Sequence, residues 1–146
     1  MSLAAPPDVV RFSPRSGDAS DCVVAALEAA CGVSYEEALA ASMVYQPDVL
    51  ETGMYWDQVQ KAAKRLGFKT HVARSGRYDI DDETGILYVY RKLPGMRKRE
   101  HHVVYLWDGR IIEPQDGRRQ LWLDPRQFLT YYGYRAGSLL VVEEKT

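Results

Sequence analysis

The chain reads as an α+β domain, with helices in its first half and an antiparallel sheet in its second. Three observations predict this. Apolar residues recur at helical spacing up to about residue 66. From Lys69 onward the period changes to two, with Gly, Asp and Pro clusters between the alternating runs. Helix-ending and hairpin signals stand at the boundaries of these segments. A run of helices followed by a run of strands argues for an α+β arrangement.

Residues 1–20 read as a lead segment, in which Val9-Val10-Arg11-Phe12 is a candidate edge strand; residues 21–146 read as a single domain. A helix is expected over about 21–31, a small-residue run that Ser20 or Asp21 can cap and Gly32 can end. Ser34 with Glu37 three positions on forms a capping box. It opens a second helix, from Tyr35 to about Met43, with Ala38, Leu39, Ser42 and Met43 inward. Gln46-Pro47-Asp48 breaks the chain. A third helix over about 54–66 places Tyr55, Val59, Ala62, Ala63 and Leu66 on one side.

Strands follow at 69–74, 85–90 and 101–107, with loops at 75–84 and 92–99. Asp108-Gly109 is a hairpin signal that returns the chain through Arg110-Ile111-Ile112-Glu113. Asp124 with Pro125 behind it starts a short helix that runs to Tyr131. A last strand covers 138–143.

The totals narrow the function. The sequence has 146 residues and a formal net charge of −1, so no global field draws it to nucleic acid or to an acidic membrane. No run approaches a membrane span, and the N-terminus lacks a signal-peptide pattern, so a cytoplasmic protein is expected. Cys22 and Cys31 are nine positions apart, on opposite faces of the expected helix and about 13.5 Å apart along its axis. That is too far for a disulfide. A metal site built from His71, His101 and His102 lacks the usual ligand spacing.

Cys22 carries the chemistry. It lies in the first turn of the expected helix, where unsatisfied N–H groups and the macrodipole favour a thiolate. A nucleophilic cysteine needs a base and a group to orient that base. His101 and His102 open a strand after a loop, and Glu113, Gln115 and Asp116 end the neighbouring one. A two-residue turn at Asp108-Gly109 puts Glu113 and Gln115 on the face of His102. A three-residue turn puts Glu113 with His101. Both registers are open at this level.

This layout resembles the papain-like cysteine peptidases, most closely the family that cleaves double-glycine leader peptides from bacteriocins. The matching residues are Asp21-Cys22, Gly53, Leu66-Gly67-Phe68, Ile86-Leu87-Tyr88-Val89, His101-His102-Val103-Val104-Tyr105, Glu113-Pro114, Gly117, Phe128 and Gly133. They span about residues 16 to 143. The resemblance implies a papain-like fold, a bacterial thiol protease with a Cys-His-acid triad, a peptide or protein substrate and no cofactor. It maps the base onto His101, through a pattern of His, any residue and two valine-like residues, and the acid onto Glu113. Three residues depart from the family. Ser16 stands where a glutamine donor to the oxyanion is usual, Val23 follows the cysteine in place of glycine, and the acid is Glu in place of Asp. Ser16, Ser20 or the Cys22 backbone N–H are the remaining oxyanion candidates.

The expected activity is hydrolysis of amide bonds, by a peptidase or an amidase-like enzyme, with Cys22, His101 or His102, and Glu113 as catalytic residues. The rival is an inactive papain-like binding module. Arg97, Lys98 and Arg99, just before the histidines, are candidates for binding acidic or phosphorylated partners. Nucleic acid is not expected as a partner, and the sequence is silent on oligomeric state.

Overall fold

The computed structural model describes residues 21–113 and 120–144. Helix α1 (Cys22–Cys31), α2 (Tyr35–Tyr45), the single turn α3 (Val49–Thr52) and α4 (Trp56–Arg65) come first. Strands β1 (Phe68–Ala73), β2 (Gly85–Arg91), β3 (Glu100–Trp107), β4 (Arg110–Glu113) and β5 (Gln120–Trp122) follow. Helix α5 (Pro125–Tyr132) and strand β6 (Arg135–Glu144) close the chain. The six strands form one antiparallel sheet in the order β1-β6-β2-β3-β4-β5. This is the α+β arrangement that the sequence predicts.

Local signals end the helices where they were read. Gly32 adopts the left-handed conformation (φ 65°) and its N–H reaches the Glu28 carbonyl, which closes α1. The Ser34 capping box is present in both directions. Asp124 accepts from the Arg126 N–H, and Pro125 takes the first helical position of α5.

The sheet has two covered faces. Ile86, Val103 and Leu140 meet α1, α2 and α4 on one side. Their neighbours Leu87, Val104 and Leu139 meet Phe128 of α5 on the other. Ala25 and Ala29 face Tyr105 and Ile112, so small side chains let α1 lie close to β3 and β4. Among the described residues no helix is long and apolar enough to cross a membrane.

Several expectations are corrected. Met43 is 43% exposed, while Tyr35 and Ala41 join Ala38 and Ser42 inside α2. These four positions keep an interval of about three or four residues from the cap, and Met43 falls off that stripe. The helix expected over 54–66 is α4, the turn α3 before it was not foreseen, and Tyr55 is 78% exposed because it precedes the first turn of α4. Its N–H donates to Gln58. Strand β5 was not foreseen; three residues carry too few repeats to show a period of two. Strand β6 begins at Arg135, earlier than expected. Asp21 is the N-cap residue of α1, yet its side chain makes no cap hydrogen bond. It accepts instead from the Tyr35 hydroxyl. Val9–Phe12, expected as an edge strand, lies outside the described residues.

Candidate active site

The β3–β4 hairpin decides which histidine meets the acid. Asp108 and Gly109 both have positive φ (45° and 74°), the conformation of a two-residue primed turn. A Cβ on Gly109 would come within 2.0 Å of the Asp81 carbonyl oxygen, so only glycine fits there. The turn pairs Trp107 with Arg110 and Tyr105 with Ile112. Continued by one step, that register sets Glu113 opposite Val104. Glu113 therefore shares a face with His102.

The two side chains meet. His102 Nε2 lies 2.8 and 3.0 Å from the two carboxylate oxygens of Glu113, and both residues are buried. With Nε2 donating to the carboxylate, Nδ1 is the remaining polar atom of the ring. His102 also shares a side-chain hydrogen bond with the Cys22 thiol. Strand β4 pairs with β3 only at Tyr105, Leu106 and Trp107. The flank of β3 at His102 is therefore clear of β4, and the first turn of α1 reaches the imidazole there.

Burial works against a charge on His102. The hydrogen bonds and charges of Cys22 and Glu113 outweigh it and raise the imidazole from 6.5 to about 10. The two cysteines are free thiols with different surroundings. Cys22 is bonded to an imidazole at a helix start. Cys31 is held at the far end of α1, and burial alone pushes its thiol up to about 12.

His101, onto which the resemblance mapped the base, takes another place. It is exposed and faces away from Glu113. Its Nδ1 meets the Tyr88 hydroxyl, and its ring stacks on Tyr88. The correction has a plain cause: alternation along β3 sends consecutive residues to opposite faces. Arg97, Lys98 and Arg99 are exposed in the loop between β2 and β3. Ser16 and Ser20 lie outside the described residues.

Three residues behind His102 were not singled out from the sequence. The Tyr134 ring stacks on the imidazole, with centroids 5.9 Å apart and planes 24° apart. Its hydroxyl donates to Glu100 at 2.7 Å. Arg91 donates to the same carboxylate at 3.1 Å, donates to the Tyr132 carbonyl at 2.7 Å, and lies 4.6 Å over the Tyr134 ring. Burial raises the Glu100 carboxyl, but the bonds from Tyr134 and Arg91 prevail and hold it below its ordinary value. Arg91 ends β2, Glu100 opens β3 and Tyr134 lies just before β6, and no local pattern joins them. Tyr134→Phe keeps the stacked ring and deletes the bond to a charged acceptor. It should cost about 1.5–3 kcal/mol of unfolding free energy in a denaturant titration. An unchanged midpoint would show that Glu100 does not anchor the ring.

A surface cavity of about 550 Å³, lined by Asp81, Asp82, Asp108, Arg110, Asp124 and Arg126, shares no residue with this site. It lies at the hairpin tip, whose Asp108 is six residues beyond His102, or about 20 Å along the strand.

No protein-family model matches the chain, and no curated protein does. Among solved structures, the peptidase domain of Streptococcus ComA, a bi-functional ABC transporter involved in a quorum sensing pathway, is similar in fold. The TM-score is 0.54 and the identity 20%, over 90% of this chain and 96% of that one. The chain thus has the fold of a peptidase domain.

Proposed function

We propose that the chain is a cysteine-dependent hydrolase of amide bonds, acting on a peptide or protein as a peptidase or amidase. One observation carries the reading: a buried imidazole lies between a thiol at a helix start and a carboxylate. The peptidase fold supports it. In this reading Cys22 Sγ attacks the scissile carbonyl, and His102 takes the thiol proton and delivers it to the leaving amine. Glu113 holds the ring through Nε2 and stabilises the imidazolium, as the third member of a triad does. The Cys22 backbone N–H, unpaired within the helix at its first position, is available as a donor to the developing oxyanion. Water then cleaves the thioester, with His102 as its base. Arg91, Glu100 and Tyr134 act as positioning residues. A reducing compartment such as the cytoplasm keeps Cys22 and Cys31 as thiols.

Timed labelling of the folded chain with iodoacetamide at pH 7, read by peptide mass spectrometry, tests this reading. Cys22 should label at least about tenfold faster than a free cysteine, and Cys31 should stay unlabelled, since thiolates are the reacting species. Cys22 labelling no faster than free cysteine would leave the inactive binding module as the description.

A further inference from the structure

The side of the β2–β3 hairpin opposite Glu113 is occupied by an ordered stack. Tyr90 pairs with His101 and Tyr88 with Val103 across the two strands. The Tyr88 ring stacks on Tyr90 and on His101, each with centroids 5.7 Å apart. The Arg99 guanidinium lies 4.6 Å over the Tyr90 ring, with its charge beside Tyr88. The Tyr88 ring is seated on Gly137, where a Cβ would come within 2.4 Å of it. Arg99 is therefore held in place before any ligand arrives, which lowers the ordering cost of using it.

The cations here are unspent. Among the described residues Arg91 pairs with Glu100 on the opposite face, and no carboxylate pairs with Arg97, Lys98 or Arg99. The stack and the thiol also border one apolar cluster. Cys22 and Val103 belong to one apolar cluster, and Tyr88 packs against it. Arg99 is four residues from Val103, about 13 Å along an extended strand. An extended peptide covers that distance in about four residues.

We infer that this stack is a substrate subsite, in which Arg99 receives an acidic side chain about three to four residues from the scissile bond. The inference rests on the hydrolase reading for the word substrate, but the anion site itself does not. Tyr88, Tyr90 and His101 form the floor, and Arg97 and Lys98 add positive charge at the rim. The chain's net charge of −1 gives no broad field for a polyanion, so the local cluster suits one carboxylate better than a nucleic acid.

Two measurements test it. In the first, wild-type chain is given a positional library of octapeptides carrying one Glu, Gln or Lys at each position. Glu three or four residues from the cut should raise kcat/KM about tenfold over Gln, a difference of about 1.4 kcal/mol. Arg99→Glu should reverse the preference towards Lys, while His71→Ala, on the distant strand β1, should not. Cleavage with no acidic preference, or an unchanged preference in Arg99→Glu, overturns the subsite.

The second uses Cys22→Ala and fluorescein-labelled Ala/Gly octapeptides that carry Glu or Gln at the same position. Glu peptides should bind about tenfold tighter at low salt, with the advantage lost in Arg99→Glu and reduced in Tyr90→Leu. Equal affinity for both peptides overturns the subsite whatever the catalytic result. Tighter Glu binding without turnover in the wild type, and with ordinary Cys22 labelling, keeps the anion site and removes the hydrolase reading alone.

Discussion

His102→Ala should lower the rate of Cys22 alkylation at pH 7 by about 10²–10⁴-fold, the usual contribution of a positioned base. His101→Ala should change it by less than about twofold, well inside the range that separates a base from a bystander. The two histidines are adjacent in sequence and chemically identical, so the contrast isolates geometry. His102 is buried against Glu113, with Nε2 at 2.8 Å from a carboxylate oxygen, and it is bonded to the thiol. His101 is exposed and engaged with the Tyr88 hydroxyl. Labelling time courses of both variants, with Cys31 as the internal slow thiol, give the answer directly. Equal losses in the two variants, or the larger loss in His101→Ala, would sink the assignment of His102 as base.

Glu113→Leu should be the most destabilising substitution in the site, by about 3–5 kcal/mol, because it strands a buried imidazolium without its carboxylate. For a chain of this length that is a fall in Tm of roughly 10 °C or more. The effect has a defined pH dependence. The folded-state pKa of His102 is raised from 6.5 to about 10, against burial, by its bonds to Cys22 and Glu113. A raised pKa contributes stability in full below the unfolded value and loses it as pH climbs through the folded value. Wild-type stability should therefore decline between pH 6.5 and about 10. In Glu113→Gln, which keeps the shape and removes the charge, the decline should be shallower. Thermal or urea unfolding at several pH values measures both. A wild-type curve flat across that window, or a parallel curve for Glu113→Gln, contradicts a charged His102–Glu113 pair.

How far the site was legible depends on the reach of each signal. Gly32, the Ser34–Glu37 box and the Asp124-Pro125 start each act within one turn of backbone, and each is found where it was read. Asp108-Gly109 announced the hairpin for the same reason. Its register stayed open because two turn lengths suit the same dipeptide, and one residue of slip exchanges His101 for His102. The family pattern of His, any residue and two valines favoured His101. The structure instead orients His102 towards Glu113 because Trp107 pairs with Arg110. Met43 and Tyr55 were misplaced at helix edges, where one position on the helical wheel separates core from solvent. The Arg91–Glu100–Tyr134 support had no local trace at all.

Residue type and short spacing thus established that helices precede a sheet, that Cys22 starts one of those helices, and that His101, His102 and Glu113 gather at one edge. These follow from backbone propensities and caps, whose energies are settled among neighbours along the chain. The choice of His102 over His101, its stacking on Tyr134 and the pinning of Arg99 over Tyr90 required the folded sheet. They depend on strand register and on contacts between segments distant in sequence, and such contacts exist only once the sheet has paired and closed over α1.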